Sequence, residues 1–271
     1  MPDRYAGVLG RPIGHSLSPV LHRAAYAELG LDWGYEAVDC GVAELADVLA
    51  ARADWAGFSA TRPLKHAVLD VAAEVRPVAS AVGAANTLLP GPSGWIADNT
   101  DVAGIVAALA EHAVAPRTVT VLGAGGTAQA LLAALLALGV ADCTVLLRDA
   151  TRAVGVLDTA ERLGVTVTLG DLDPRAGALD ADLVVSTLPP GAADRFAGRA
   201  WSPSQAVLDV VYALWPSPLA AAAGAAGAKV VSGALMLLHQ AAAQVAVMTG
   251  EDPPVDAMRA ALEAAAPGCG V

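Results

Sequence analysis

The chain has 271 residues and a net charge of -11, which predicts a pI near 4.7. No cluster of Lys and Arg gives it a basic face, so neither nucleic acid nor an anionic membrane is expected as a partner. The length favours two domains. Three cysteines without metal-type spacing, scattered histidines and an N-terminus without a signal-like apolar run favour a cytoplasmic enzyme with free thiols and no metal.

The first hundred residues alternate between strand and helix patterns. Strands are predicted at 5–9, 33–38 and 55–60, helices at 18–29, 42–51 and 64–71, and a hairpin from 86–89 to 95–97. Strands separated by helices indicate an α/β domain with a mainly parallel sheet.

A second α/β series follows a helix at 101–112 and a hinge near Pro116. Strand 119–122, helix 127–138 and strand 143–147 form one βαβ unit. Further strands are predicted at 166–169, 183–186, 207–211 and 229–231, and helices at 235–248 and 255–265. The series predicts a Rossmann-type domain, whereas periodicity does not assign the last helices to either domain.

A glycine-rich loop lies between the strand at 119–122 and the helix that follows it. Gly123 permits a tight turn, Gly125 lets the backbone approach a pyrophosphate, and Ala128 takes the helix-packing position. Gly126 and Thr127 begin the helix, whose N–H groups attract an anion. The strand and helix around the loop favour dinucleotide binding over an ordinary glycine turn.

The end of the next strand distinguishes NADP from NAD. Arg148 and Arg152 could clamp a 2′-phosphate, which favours NADP, although Arg152 could also lie on a solvated helix face. Asp149 could repel that phosphate, accept a hydrogen bond from a ribose hydroxyl as in NAD enzymes, or cap the following helix. NADP is the preferred cofactor, with NAD as the alternative.

Lys65 is one of only two lysines, the other being Lys229, against fourteen arginines. An amine can give up its proton near neutral pH, whereas a guanidinium does not. Lys65 is therefore the first candidate for acid–base chemistry, and a solvated surface lysine is the alternative. No polar cluster surrounds Lys229, which carries no such prediction.

Polar clusters follow the predicted strands of the first domain, at 14–22, 59–65 and 98–101. Ligands bind beyond the carboxyl ends of strands in open α/β sheets, so these loops could form one pocket. Lys65 and Asp101 would be its proton-transfer pair, and neutral hydrogen-bonding groups would suit a hydroxylated small molecule. Ser18 and Asp101 could instead be helix caps, and Thr61 a turn residue.

Several motifs follow one another along the chain: Gly10-Arg-Pro-Ile-Gly-His-Ser-Leu-Ser-Pro19, Thr61-Arg-Pro-Leu-Lys65, Gly83-Ala-Ala-Asn-Thr-Leu88, Asn99-Thr-Asp101 and Gly123-Ala-Gly-Gly126, continued by 186–189, 209–219 and 233–240. Together these segments resemble the shikimate dehydrogenase family over nearly the whole chain. The resemblance implies reduction of 3-dehydroshikimate to shikimate with NADPH, in the pathway to aromatic amino acids. It implies a substrate domain of residues 1–102 completed by 234–271, and an NADP-binding Rossmann domain of residues 103–233.

The resemblance also implies residue roles. Lys65 and Asp101 occupy the catalytic positions. The substrate-contacting positions are Ser16, Ser18, Thr61, Asn86, Tyr212 and Gln240. The cofactor positions are Gly123, Gly125, Gly126, Thr127, Ala128, Arg148, Arg152, Thr187 and Gly233.

Two segments depart from the family pattern. Ser59-Ala60-Thr61 stands where the family usually has Asn-Val-Thr, and Leu147-Arg148-Asp149 stands for Asn-Arg-Thr, which weakens selectivity for NADP. An NAD-dependent quinate or quinate/shikimate dehydrogenase is therefore the nearest alternative. A nucleotide-binding paralogue without catalysis is the alternative from another class, and the resemblance permits a monomer or a homodimer.

Overall fold

The computed structural model describes residues 2–213 and 215–271, which divide into two compact units. The first comprises 2–101 and 238–267, and the second comprises the described residues of 102–237 and 268–271. The sequence predicts a first domain of residues 1–102 completed by 234–271, so its boundaries differ from those of the first unit at 102 and at 234–237. They also differ at the C-terminus, because Ser232 Oγ donates a hydrogen bond to the Cys269 carbonyl and ties the last residues to the second unit.

The first unit is built on a six-stranded sheet in the order β2-β1-β3-β5-β6-β4. The strands are β1 (Arg4–Gly10), β2 (Trp33–Asp39), β3 (Phe58–Ala60), β4 (Glu74–Val75), β5 (Thr87–Gly91) and β6 (Gly94–Asp98). Its complete helices are α1 (Ser18–Glu28), α2 (Leu45–Ala50), α3 (Ala67–Val71), α4 (Pro77–Val82) and α10 (Val255–Ala265). Strand β5 runs antiparallel to β3 and β6, and the other pairs are parallel. Leu9, Phe58 and Leu88 are fully buried in its core.

Local interactions account for the differences from the predicted elements of this unit. Helix α3 begins at Ala67, not at 64, because the Leu64 N–H bonds the Thr61 carbonyl in a tight turn. Strand β3 begins at Phe58, not at 55, because the Trp55 N–H is taken by a turn to Arg52. The short elements β4 and α4 were not predicted.

The second unit holds a six-stranded, all-parallel sheet in the order β12-β11-β10-β7-β8-β9. The strands are β7 (Val119–Leu122), β8 (Asp142–Leu147), β9 (Thr166–Asp171), β10 (Leu183–Ser186), β11 (Ala206–Asp209) and β12 (Lys229–Ser232). Its complete helices are α6 (Gly126–Ala137), α7 (Val154–Leu163) and α8 (Pro218–Ala225), while α5 (Asp101–Glu111) and α9 (Gly233–Thr249) have residues in both units. The predicted α/β fold with a Rossmann-type domain is confirmed, and the strand order reverses between β7 and β10, where doubly wound folds bind nucleotides.

Two helices carry the chain from one unit to the other. Helix α5 begins on Asp101, the last residue of the first segment of the first unit, and α9 enters that unit at Leu238. Within residues 2–213 and 215–271, none of the helices has the length and apolar character that crossing a membrane requires.

Candidate active site

The centre of the site in the first unit is a contact between Lys65 and Asp101. Lys65 Nζ donates to Asp101 Oδ2 at 2.5 Å, and the two side chains are 17% and 5% exposed. Shielding from water makes such an attraction stronger than it is on an open surface. The sequence placed these residues 36 positions apart, and the fold brings them into direct contact.

Backbone hydrogen bonds fix the turn that presents Lys65. The Thr61 N–H donates to the Leu9 carbonyl at the end of β1, and the Ala85 N–H donates to the Lys65 carbonyl. Gly10 is required beside this turn, since a Cβ there would lie 2.4 Å from the Thr61 methyl carbon. These contacts therefore hold the backbone of Lys65 in place.

Asn86 holds the other oxygen of Asp101. Its Nδ2 lies 2.8 Å from Asp101 Oδ1 and 3.1 Å from Gln240 Oε1. Its Oδ1 accepts the Thr100 N–H at 2.8 Å. Because a backbone N–H can only donate, this contact fixes which end of the carboxamide is oxygen and directs Nδ2 to the carboxylate.

Asn99 prepares the start of α5. Its Oδ1 accepts the Asp101 N–H at 3.0 Å, and its Nδ2 donates to the Ala84 carbonyl at 2.8 Å. The first amide of the helix is thus satisfied by Asn99, while the Asp101 carboxylate is directed to Lys65 and Asn86.

The remaining predicted substrate residues are placed separately. Ser18 begins α1, and its N–H donates to Ser16 Oγ at 3.3 Å, so these two form a local pair. Thr61 lies just beyond β3, at the same sheet edge as the end of β1. Tyr212 belongs to the second unit, where burial raises its pKa.

Three buried side chains behind Asn86 were missed as site residues. Gln244 is fully buried and donates to the Asn86 carbonyl at 2.9 Å, and Ser59 donates to Gln244 Oε1 at 2.7 Å. Tyr35 Oη lies 2.5 Å from Ser59 Oγ. The one sequence signal was the spacing of Gln240 and Gln244, since positions i and i+4 share a helix face.

His22 is a buried neutral histidine beside this group. Its ring stacks on Tyr35 with centroids 4.0 Å apart, and Nδ1 lies 2.9 Å from the Ser18 carbonyl. The carbonyl can only accept, so Nδ1 carries the proton, and Nε2 has no hydrogen-bond partner among the residues that the structure describes. Burial lowers the pKa of His22 to about 4.

The glycine-rich loop of the second unit has the geometry of an anion cradle. Gly125 precedes α6 in an extended conformation, and a Cβ there would meet nothing within 4 Å, so the backbone is open to a ligand. Gly123 has φ +100°, and a Cβ there would lie 2.7 Å from Thr187 Oγ1. The first turn of an α-helix presents N–H groups to an anion, so Gly126, Thr127 and Ala128 complete a cradle that fits a pyrophosphate.

The structure supports the interpretation of Asp149 as a cap. Its Oδ1 accepts hydrogen bonds from Thr151 N at 3.0 Å and Thr151 Oγ1 at 2.6 Å, so it caps the short turn after β8. These bonds lower the pKa of Asp149. Arg148 is exposed, and the exposed Arg152 has its Nε 3.8 Å from Asp149 Oδ2. Both cations are open to a phosphate.

Two further observations concern predicted positions. Gly233 begins α9, and a Cβ there would lie 2.2 Å from the Val210 carbonyl oxygen, so close packing requires glycine. Among the described residues, no group of three His, Cys, Asp or Glu side chains is placed to hold a metal ion.

Residues 8–88 match the family described as the shikimate dehydrogenase substrate binding domain, and residues 233–263 match the shikimate 5′-dehydrogenase C-terminal domain. A curated relative from Oleidesulfovibrio alaskensis, named shikimate dehydrogenase (NADP(+)), is 37% identical over 99% of this chain and 98% of its own length. The chain belongs to the shikimate dehydrogenase family. The predicted family and its enzyme class, an oxidoreductase, are thereby confirmed.

Solved structures of this family agree with the fold. Shikimate dehydrogenase of Mycobacterium tuberculosis is 45% identical and superposes with a TM-score of 0.87, covering 96% of this chain and 99% of its own. The quinate dehydrogenase of Corynebacterium glutamicum, solved in complex with NAD, is 29% identical with a TM-score of 0.84, covering 96% and 99%. The fold is thus shared by enzymes named for either substrate.

Proposed function

We propose that this enzyme reduces 3-dehydroshikimate to shikimate with NADPH, in the pathway to aromatic amino acids. The observation that carries the proposal is the shielded 2.5 Å contact between Lys65 and Asp101, held by Asn86. The curated relative described above is named as an NADP(+) enzyme, in agreement with the predicted cofactor.

Lys65 is the general acid of the reduction. NADPH, when bound, supplies the hydride that adds to the ketone carbon of the substrate. The ketone oxygen becomes an alkoxide, and Lys65 Nζ gives it a proton. In the reverse direction the amine takes that proton back. Asp101 accepts a hydrogen bond from Nζ, which keeps the amine in place, and it can accept a second from the adjacent substrate hydroxyl.

The two units divide the ligands between them. The first holds the substrate, whose hydroxyl and carboxylate groups match the polar side chains of Ser16, Ser18, Thr61, Asn86 and Gln240. The second holds NADP through Gly123, Gly125, Gly126, Thr127, Ala128, Thr187 and Gly233. Arg148 and Arg152 bind the 2′-phosphate, and the two hydrogen bonds from Thr151 support this preference, since they direct Asp149 Oδ1 into the turn after β8.

Replacement of Lys65 tests the role of the amine. Lys65→Ala should lower kcat by about 10²- to 10⁴-fold, the usual contribution of a positioned acid–base group. Lys65→Arg should also lower kcat, because it keeps the charge without an amine that releases its proton. The matched control is Lys229→Ala, which removes the other lysine, whose Nζ donates to the Ala113 carbonyl. A Lys65→Ala enzyme with nearly normal kcat would refute the role.

The second candidate is an NAD-dependent quinate or quinate/shikimate dehydrogenase. The likeness to the Corynebacterium glutamicum quinate dehydrogenase, solved with NAD, favours it. Measuring kcat/KM for shikimate and for quinate, each with NADP⁺ and NAD⁺, decides between the candidates. Shikimate with NADP⁺ should give the highest value. If none of the four combinations turns over while nucleotide still binds, the chain is a non-catalytic paralogue.

We further propose a cytoplasmic location, supported by three free and buried cysteines, Cys40, Cys143 and Cys269, which suit a reducing compartment. The enzyme works as a monomer or as a homodimer, which sedimentation of the purified protein distinguishes.

A further inference from the structure

The buried side chains behind Asn86 form a chain of hydrogen bonds with a single direction. Gln244 Nε2 lies 2.9 Å from the Asn86 carbonyl oxygen and 3.0 Å from Thr87 Oγ1. A carbonyl oxygen can only accept, so the NH₂ end of Gln244 must face it. Gln244 Oε1 is thereby turned to Ser59.

The same argument identifies the donor in the hydrogen bond between Tyr35 and Ser59. Ser59 has one hydroxyl proton, and it goes to Gln244 Oε1 at 2.7 Å. The 2.5 Å contact between Tyr35 Oη and Ser59 Oγ is therefore donated by the phenol. Burial raises the pKa of Tyr35 well above its usual value, so the phenol keeps the proton that it donates.

The direction continues inward to the carboxylate. Thr87 Oγ1 accepts a hydrogen bond from Gln244 Nε2 and donates one to Asn86 Oδ1 at 2.9 Å. Asn86 Oδ1 is then fixed as the acceptor, and Nδ2 must face Asp101 Oδ1. A reversed Asn86 carboxamide would set oxygen against oxygen at Asp101 and donor against donor at the Thr100 N–H, and the Thr87 hydroxyl would lose its acceptor.

Water does not replace these partners, because Gln244 and Tyr35 are fully buried and Ser59 is 5% exposed. A buried polar group that loses its partner keeps the whole desolvation cost. We propose that Gln244, Ser59 and Tyr35 are positioning residues, which act with the Thr100 N–H to hold the Asn86 carboxamide in one orientation and through it the Asp101 carboxylate that contacts Lys65. The proposal rests on the proposed function, since it concerns the same catalytic pair.

Gln244→Met is the direct test, because methionine fills a similar volume without polar ends. With 3-dehydroshikimate and NADPH, kcat should fall about tenfold, the effect expected when a buried group loses its partner, while KM for NADPH stays unchanged. Ser59→Ala should lower kcat about threefold, because the hydrogen bonds from Gln244 to Asn86 and Thr87 remain. Tyr35→Phe should cost less than about twofold, because Ser59 can still donate to Gln244.

Gln205 in the second unit offers a matched control. It is 6% exposed and also makes three hydrogen bonds, from Ser202 N and to the Leu179 and Ala181 carbonyls. Gln205→Met should lower the melting temperature as Gln244→Met does, but it should leave kcat unchanged. A purely structural role for Gln244 predicts the same kinetics for both variants at a temperature where circular dichroism shows them folded.

Lys65→Ala, assayed in parallel, separates the two proposals. If Lys65→Ala is inactive while folded Gln244→Met keeps the wild-type kcat, the positioning role is overturned and the proposed function stands. If Lys65→Ala keeps the wild-type kcat, the proposed function itself fails. Should Gln244→Met not fold, Ser59→Ala decides by the same criterion.

Discussion

The buried His22 should make the stability of this protein fall as the solution becomes acidic. Its pKa is about 4 in the folded chain against 6.5 for a free histidine. The folded state therefore resists protonation that the unfolded state accepts, so the stabilisation is complete above pH 6.5 and is lost as the pH falls toward 4. At 1.36 kcal/mol per pKa unit, the difference of about 2.5 units corresponds to about 3 kcal/mol in total, of which roughly 1.4 kcal/mol is already lost near pH 5.5.

The assay is urea unfolding at several pH values, comparing wild type with His22→Phe. Phenylalanine keeps a flat ring against Tyr35 and cannot titrate. The free energy of unfolding of the wild type should fall between about pH 7 and 5.5 by roughly 1.2 kcal/mol more than that of the variant. The matched control is His15→Gln, which replaces an exposed histidine of the same unit. If the free energy of unfolding changed equally with pH in wild type and His22→Phe, His22 would not titrate as its burial requires.

Three other outcomes follow from the described geometry. Gly233→Ala should lower the melting temperature and cost more than about 2 kcal/mol, because its Cβ would overlap the Val210 carbonyl; a variant as stable as wild type would contradict this. Arg148→Ala should weaken NADP⁺ binding, measured by isothermal titration calorimetry, by about tenfold and leave NAD⁺ binding unchanged. Thr151→Val removes one of the hydrogen bonds that engage Asp149, so it should lower the affinity ratio of NADP⁺ to NAD⁺, and an unchanged ratio would refute that role.

The strands of the second unit were predictable because their signal is local. Residues 119–122 and 183–186 were predicted with the bounds that the structure gives β7 and β10, since a parallel strand buried on both faces is a continuous apolar run. Helix α8 was missed although Ser217 caps it and Pro218 begins it, because its run of Ala and Gly has no polar face to mark a period. Strand β4 has two residues and exists only through its pairing with β6.

The site was predictable only as far as residue types and motifs carry it. Lys65, Asp101, Asn86 and Gln240 were each proposed from the sequence, and the structure joins them by hydrogen bonds. Gln244 was not predicted as a site residue because its partners lie in β3 and at the start of β5, more than 150 residues away along the chain. Long-range convergence of this kind leaves no local pattern.

The single orientation of Asn86 also bears on how the enzyme ages. Spontaneous deamidation would turn its Nδ2 into a carboxylate oxygen and set two negative charges together at Asp101. That reaction needs the following backbone nitrogen to reach the side chain, but Thr87 is held in register between Ser59 on β3 and Asp98 on β6. The strands that position the carboxamide therefore also oppose the backbone movement that deamidation requires.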